Sequence, residues 1–287
     1  MKIKYILNEL NERQRKILLL IIILAFLLAN LLDKKENVPS NDLEVHYINV
    51  GQGDSELIID KDKVLLIDGG ENSEEDLMIS YLSSKGIEEI DYIIATHPHS
   101  DHIGGLDAVI NNFSVKNIIM TDDISTTRTY ENLLDAINKN NVNIIQATVN
   151  NEYTLDTAMF KILGPTKKFD DLNDNSIYIR LIYGNAEFLF TGDGEKAAEN
   201  ELINNNVNIS ADVLKVGHHG SNTSSSSEFL DLVNPKIAVI SCEKNNEYGH
   251  PHKEVMERLN KRNIKIYRTD TQGDVIVYTD GEQIEVR

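Results

Sequence analysis

Residues 95–105 read ATHPHSDHIGG, and six positions of that stretch hold His97, His99, Asp101 and His102. Imidazole nitrogens and a carboxylate oxygen form a ligand set for Zn2+ or a similar divalent ion. Buried together without such an ion, three imidazoles would repel one another or give up their charge. The group follows an apolar run, DYIIAT (91–96), and Pro98 with the Gly104–Gly105 pair is expected to hold it as a loop until a helix can begin. Alternate side chains diverge in a tight loop. His97 and His99 are therefore expected to address one metal position, and Asp101 and His102 another.

One loop does not complete two metal positions, and the remaining candidates lie at other strand ends. EFLFTGD (187–193) is an apolar run ending in Asp193; ADVLKVGHHGS (211–221) ends in His218 and His219; PKIAVISCEKNNEYGHPH (235–252) ends in His250 and His252. Seven of the 8 histidines thus fall just past apolar runs, and the exception, His46, lies inside one and is read as a core or edge residue. Each later element alone is weak evidence, since an Asp after a strand is commonly a helix cap. Together with 97–102 they form a pattern.

The elements that must position these groups alternate along the chain. LEVHYINV (43–50), SELIID (55–60) and KVLLID (63–68) read as a strand meander, followed by a helix over 73–85 capped by Ser73 and stopped at Gly86. Further strands are expected at 117–120, 142–147, 158–163, 177–183, 186–191, 212–216, 236–241, 264–267 and 274–278. Helices are expected at about 105–112, 128–139, 194–205, 225–233 and 252–262. Strands with interspersed helices predict a layered α/β protein with two sheets and helices outside.

Composition bounds the rest. The chain has 287 residues, 41 % hydrophobic and 26 % charged, with a net charge of −18. Such acidity argues against tight general binding to duplex DNA, which needs a basic footprint. Cys242 is the only cysteine, so neither an intrachain disulfide nor a multi-cysteine metal site is available. Residues 17–32, ILLLIIILAFLLANLL, are apolar but for Asn30 and follow Lys2, Lys4, Arg13, Arg15 and Lys16. We read 1–16 as a cytoplasmic basic segment, 17–32 as a transmembrane signal anchor, 33–42 as a linker and 43–287 as an extracytoplasmic domain, or a secreted one if the anchor is cleaved.

THPHSDHIGG matches the H-x-H-x-D-H signature of the metallo-β-lactamase fold superfamily. VGQGDS (50–55), IDGG (67–70), TGD (191–193), LKVGHHGS (214–221), YGHPH (248–252) and the tail YRTDTQGDVIVYTDG (267–281) resemble the ComEC/Rec2 branch in order. The resemblance implies a four-layer αββα sandwich with its site along one edge, and a metal-dependent hydrolase. Substrates across such relatives include nucleic acids, phosphodiesters and phosphorylcholine esters. Competence-type members of that branch carry a large polytopic membrane region, so the expectation here is a stand-alone domain on one anchor. Many superfamily members also place a further histidine ligand between the signature and the bridging Asp. No histidine occurs from 103 to 217 here, and the equivalent stretch, NDNSIYI (173–179), offers Asp174 or Asn175. That departure favours one metal ion as readily as two, and Mn2+ as readily as Zn2+.

On this reading His97 and His99 serve one metal position, Asp101 and His102 the other, Asp193 bridges them, and His219 completes the second. A metal that lowers the pKa of water toward about 7 makes hydroxide available for attack. His218 and His250 face the substrate as oxyanion stabilisers or leaving-group acids, with Asp101 also counted among the catalytic groups. The division among His218, His219 and His250 stays open, and His250 could be the ligand instead. Asp54 and Asp68 orient ligand histidines. Asn175, Ser221 and His252 are expected around the substrate. The expected activity is hydrolysis of a phosphodiester-type bond in an anionic phosphoester. The alternative is a membrane-tethered, non-enzymatic metal-binding or scaffold protein that keeps the fold.

Overall fold

The computed structural model describes residues 43–287. The expected basic segment, anchor and linker (1–42) lie outside the described residues. Among the described residues no helix is long and apolar enough to cross a membrane.

The first sheet opens with the antiparallel meander β1 (Leu43–Tyr47), β2 (Glu56–Asp60) and β3 (Lys63–Ile67), then continues in parallel through β4 (Glu89–Ala95), β5 (Ser114–Met120) and β6 (Asn143–Gln146). The second sheet follows the same plan. The strands β7 (Glu152–Thr154), β8 (Met159–Gly164), β9 (Tyr178–Tyr183) and β10 (Ala186–Phe190) run antiparallel, and β11 (Val213–Lys215), β12 (Ile237–Ile240) and β13 (Lys265–Arg268) are added in parallel. The chain then returns to the first sheet, where β14 (Val275–Thr279) pairs with β1 and carries β15 (Ile284–Val286) on its outer edge. The three-residue strands β7 and β15 are not expected from sequence, because runs that short carry almost no periodic signal.

Side-chain alternation builds three apolar layers from two sheets. Val45, Tyr47, Leu65, Ile67 and Ile94 meet Phe160, Ile179, Leu181, Phe188 and Phe190 between the sheets. On the outer face of the first sheet Val64, Leu66, Ile93 and Ala95 pack under helices α1 (Glu75–Ser84), α3 (Leu106–Asn112) and α4 (Arg128–Asn140); the single turn α2 (Ser100–Ile103) sits at the end of that layer. On the outer face of the second, Leu189, Leu214 and Ile240 pack under α5 (Lys196–Asn204), α6 (Ser227–Val233) and α7 (Lys253–Lys261), and one further turn, α8 (Thr269–Gln272), joins β13 to β14. The four layers are thus helix, sheet, sheet, helix. Each fully buried Ile, Leu or Phe contributes about 1.5–3 kcal/mol to holding them together.

Local signals explain most boundaries. In α4 the buried Tyr130, Leu133, Ala136 and Ile137 recur at helical spacing, Thr127 accepts the Tyr130 N–H at 3.3 Å, and Asn141 ends the helix at φ 55°. Two expectations need correction. Ser73 does not cap α1: it lies in a 3-10 turn over Asn72–Glu74, and its hydroxyl donates to Glu74. The histidine segment is not loop throughout, because α2 begins two residues after Pro98 and carries Asp101 and His102. Gly104 and Gly105 follow at once because a Cβ at either would run into the backbone of Glu71–Asn72 or Gly69. That close approach lets Gly69 N–H reach the His102 carbonyl at 2.6 Å.

Away from the histidines, Asp91 is nearly buried and accepts from Lys116 at 2.8 Å, Lys63 at 2.9 Å and the Val64 N–H at 3.1 Å. Burial alone would raise its pKa, but these three donors outweigh it and hold the carboxyl below the usual range. A depressed carboxyl contributes stability that is present above its unfolded value of about 3.9 and lost as pH falls through the folded value. Asp91→Asn is expected to lower stability by about 1–2 kcal/mol at pH 7, the lysines being partly solvated. Urea unfolding should show the gap to the parent closing below about pH 4.

Candidate metal centre

The C-terminal ends of β3, β4, β10, β11 and β12 open on one edge of the sandwich, where parallel strands generally deliver their loops. Backbone bonds lock these loops together: Ile177 N to the Thr96 carbonyl at 3.1 Å across the two sheets, Asp54 N to Asp101 at 3.1 Å within the first, and His252 N to Gly220 at 2.9 Å within the second. At this edge Asp101, His102, Asp193 and His219 bring one ligand atom each to within 4.8 Å of one another. Three of the four are buried, and Asp101 is partly open.

The imidazoles are oriented from behind. His102 Nδ1 lies 2.8 Å from Asp68 Oδ2, so Nδ1 carries the proton and donates it. The same carboxylate accepts the Thr96 hydroxyl at 2.6 Å and the Thr96 N–H at 2.8 Å. With its proton committed to Asp68, the Thr96 oxygen accepts from His97 Nδ1 at 3.2 Å. That leaves His97 Nε2 as an acceptor, 3.0 Å from His99 Nδ1. His219 Nδ1 donates to the Ser241 carbonyl at 3.1 Å, with Asp54 Oδ1 at 3.3 Å. His218 Nδ1 donates to Glu195 at 3.0 Å.

The groups so aimed converge without bonding to one another. His102 Nε2 is 3.3 Å and His219 Nε2 3.5 Å from Asp193 Oδ2, and His219 Nε2 is 3.3 Å from Asp101 Oδ2. His102 Nε2, His219 Nε2 and Asp193 Oδ1 nevertheless have no hydrogen-bond partner although they are buried. Orphaned buried polar atoms are costly, and three of them within one His/Asp cluster fit a cation. Buried histidines should lose their charge. Here Asp193 with Asp101 and Asp68 overrides burial at His102, and Asp193 with Asp54 overrides it at His219, so both are pushed well above the usual range. Against its own burial, Asp193 is held well below the usual carboxylate range by His219 and His102. At His97 burial wins, helped by the neighbouring His102, and the ring stays neutral.

The backbone at residues 217–220 is strained to achieve this. His218 and His219 both adopt left-handed conformations, at φ 49° and 52°, where non-glycine residues are uncommon. Bonds from His218 N to Gly192, Ser221 N to His218 and Ser224 Oγ to Gly217 hold the turn.

The other expected residues are placed as follows. His97 and His99 face each other beside the four-group cluster, the His97 and His102 ring centres being 4.2 Å apart. His250 lies 5.7 Å from His218 and 6.2 Å from His219, ring centre to ring centre. His252 accepts the Asn222 N–H on Nδ1 at 3.0 Å, and Ser221 pairs with Thr223 at 2.9 Å. Asn175 spends its amide on the Phe169 backbone and Asp123, and Asp174 accepts the N–H groups of Glu195 and Ala198 at the start of α5. The residue of that stretch that reaches the centre is Ser176, whose hydroxyl accepts the Asp193 N–H at 3.1 Å and contacts His97 Nδ1 at 3.2 Å. His46 is buried, bonded to Tyr81 and Glu44.

Residues not singled out from sequence also shape the centre. Besides Ser176 and Glu195 these are Ser241, Gln52 and above all Lys215, a buried ammonium 2.6 Å from Asp54 Oδ2. Its signal was available: a lysine between Leu214 and Val216 interrupts an apolar strand.

A four-layer sandwich with a His/Asp cluster on one edge is the architecture of the metallo-β-lactamase fold, and residues 48–243 match the metallo-β-lactamase superfamily: the chain belongs to that superfamily. Within it the chain falls in the ComEC/Rec2-like branch, as its relatives show. It is 33 % identical over 255 residues to ComE operon protein 3 of Bacillus subtilis (strain 168), covering 82 % of this chain and 33 % of that protein. It is 32 % identical over 246 residues to Competence protein ComA of Neisseria gonorrhoeae, covering 84 % and 33 %. The chain therefore spans about a third of the length of these relatives. Among solved structures, Igni18, a metallo hydrolase from Ignicoccus hospitalis KIN4/I, superposes with a TM-score of 0.55 at 15 % identity, over 82 % of this chain and 98 % of that one. That likeness bears on the fold alone.

Proposed function

We propose that the domain is a metal-dependent hydrolase of phosphodiester-type bonds in anionic phosphoesters. The observation that carries this is the convergence of His102 Nε2, His219 Nε2 and Asp193 Oδ1, buried and unpartnered, beside Asp101. Asp101, His102, Asp193 and His219 would hold a first Zn2+ or Mn2+ ion, and His97 with His99 would serve a second. Bound there, such an ion supplies the Lewis acidity that makes hydroxide available near neutral pH and the positive charge that an acidic protein otherwise lacks toward a phosphoryl group.

The chain's own residues do the rest. Asp68 and Thr96 keep His102 and His97 in the tautomers that leave Nε2 free. Glu195 does the same for His218, whose Nε2 comes within 3.7 Å of Asp193 Oδ2 and borders the place where a reacting oxygen would sit. His250 binds a phosphoryl oxygen of the substrate as charge builds on it, and His218 borders the same place with its Nε2 lone pair. The apolar run at 17–32, preceded by basic residues, supports a signal anchor that places the domain outside the cytoplasm.

The test is turnover of bis-p-nitrophenyl phosphate by the purified chain. Activity is expected to vanish on chelation and to return with Zn2+ or Mn2+. A chain that binds metal stoichiometrically yet turns over no member of a panel of phosphoesters would favour the scaffold reading, to which the absence of histidine from 103 to 217 lends its support.

A further inference from the structure

Gln52 follows β1 in the loop leading to Asp54, and its amide bridges two segments. Its Oε1 accepts the Glu243 N–H at 3.2 Å, and its Nε2 lies 3.5 Å from His250 Nδ1. A backbone N–H can only donate, so the Glu243 contact fixes which end of the amide is the oxygen. The end facing His250 is therefore the NH2, which also only donates. His250 Nδ1 must accept, and the proton of the neutral ring sits on Nε2. A contact this long before substrate arrives is ordinary for a site that tightens on binding.

The neighbouring rings are set the other way. His97, His102, His218 and His219 all place Nδ1 against an acceptor: the Thr96 oxygen, Asp68, Glu195 and the Ser241 carbonyl. Those four are prepared to offer an Nε2 lone pair, whereas His250 is prepared to offer an Nε2 proton. The loop bearing His250 is itself pinned. Asn246 accepts the His250 N–H at 2.9 Å and donates to the carbonyls of His250 at 2.7 Å and Glu243 at 2.8 Å, while Tyr248 stacks on the ring at 5.6 Å.

We propose that Gln52 is a positioning residue that holds neutral His250 as an Nε2–H hydrogen-bond donor to a phosphoryl oxygen of the substrate, and not as a metal ligand or proton acceptor. This rests on the hydrolase reading above and assigns His250 one role within it. The ring is neutral because its Nδ1 faces a group that only donates, and partial burial disfavours a charge on it. No proton changes hands: the donor stabilises charge as it develops on oxygen.

The test compares the full chain, labelled with 15N at histidine and loaded with Zn2+, with Gln52→Glu and Gln52→Leu. Two-bond 15N–1H spectra distinguish the tautomers, and His46, remote from the centre, reports whether each variant is folded. His250 is expected to show a bare Nδ1 and a protonated Nε2. The carboxylate that Gln52→Glu introduces should draw a proton onto Nδ1, and Gln52→Leu should leave the two tautomers mixed. With bis-p-nitrophenyl phosphate, kcat of Gln52→Glu should fall by on the order of a hundredfold while KM changes little, as for loss of one oxyanion donor. A protonated Nδ1 in an active parent chain, or a Gln52→Glu variant with unchanged tautomer and kcat, overturns the proposal. A parent chain that hydrolyses no ester removes the hydrolase reading itself.

Discussion

Asp193→Asn is expected to abolish turnover and to strip the centre of its metal. Asp193 approaches His102, His219 and His218 at 3.3, 3.5 and 3.7 Å, so no other carboxylate among the described residues touches as many imidazoles. The substitution keeps shape and removes charge, leaving any cation bound there without its buried counter-charge. Losing one partner of a buried ionic set costs about 3–5 kcal/mol, or on the order of 10²–10³ in metal affinity. Metal content after dialysis against a weak chelator measures the first effect and bis-p-nitrophenyl phosphate the second. The metal-free variant should remain folded, because His102 and His219 can release protons once the carboxylate is gone. A variant that retains stoichiometric metal and more than a tenth of parental kcat would show that Asp193 is not the group on which the centre turns.

Lys215→Met is expected to be among the most destabilising single changes in the domain. Lys215 and Asp54 are about 1 % exposed and 2.6 Å apart, with the buried Glu56 beside them. Burial disfavours both charges: Lys215 together with His219 overrides it to hold Asp54 below the usual range, and Asp54 together with Glu56 overrides it to keep Lys215 above its own. Removing the ammonium orphans a carboxylate that already faces Glu56, whose carboxyl is pushed well up by burial and then by Asp54. The expected loss is about 3–5 kcal/mol, a fall in Tm on the order of 10 °C for a domain of this size. Lys215→Met combined with Asp54→Asn should recover much of it, since no charge is then left unpaired. The sign of the pH dependence follows. The raised lysine contributes below its unfolded value of about 10.4 and loses that contribution as pH rises through the folded value; the lowered aspartate contributes above about 3.9 and loses it as pH falls. Thermal unfolding of the parent and the two variants as a function of pH checks both statements. A single variant within about 1 kcal/mol of the parent would mean that the pair is not what holds this corner.

The elements are legible where local physics acts alone. Strand β4 and helix α4 announce themselves by apolar run and helical spacing, and their bounds lie close to those expected. What local patterns do not register is a residue whose role depends on something far along the chain. Asp174 and Asn175 suit the place where the histidine is missing, yet both are consumed by neighbouring backbone, and Ser176 turns to His97, 79 residues distant. Lys215 visibly interrupts an apolar strand, but its role depends on Asp54, 161 residues earlier in the chain.

By itself, then, the order of residues brought forward the candidate ligands: seven histidines and Asp193 fall after apolar runs, in a chain without cysteine pairs, the pattern expected of a metal centre at the strand ends of layered sheets. Only the tertiary structure decided which nitrogen of each ring is offered, because a tautomer is set by whatever packs behind the ring. That the Nδ1 atoms of His97, His102, His218 and His219 meet acceptors while that of His250 meets an amide donor is a property of loops from two sheets brought to one edge.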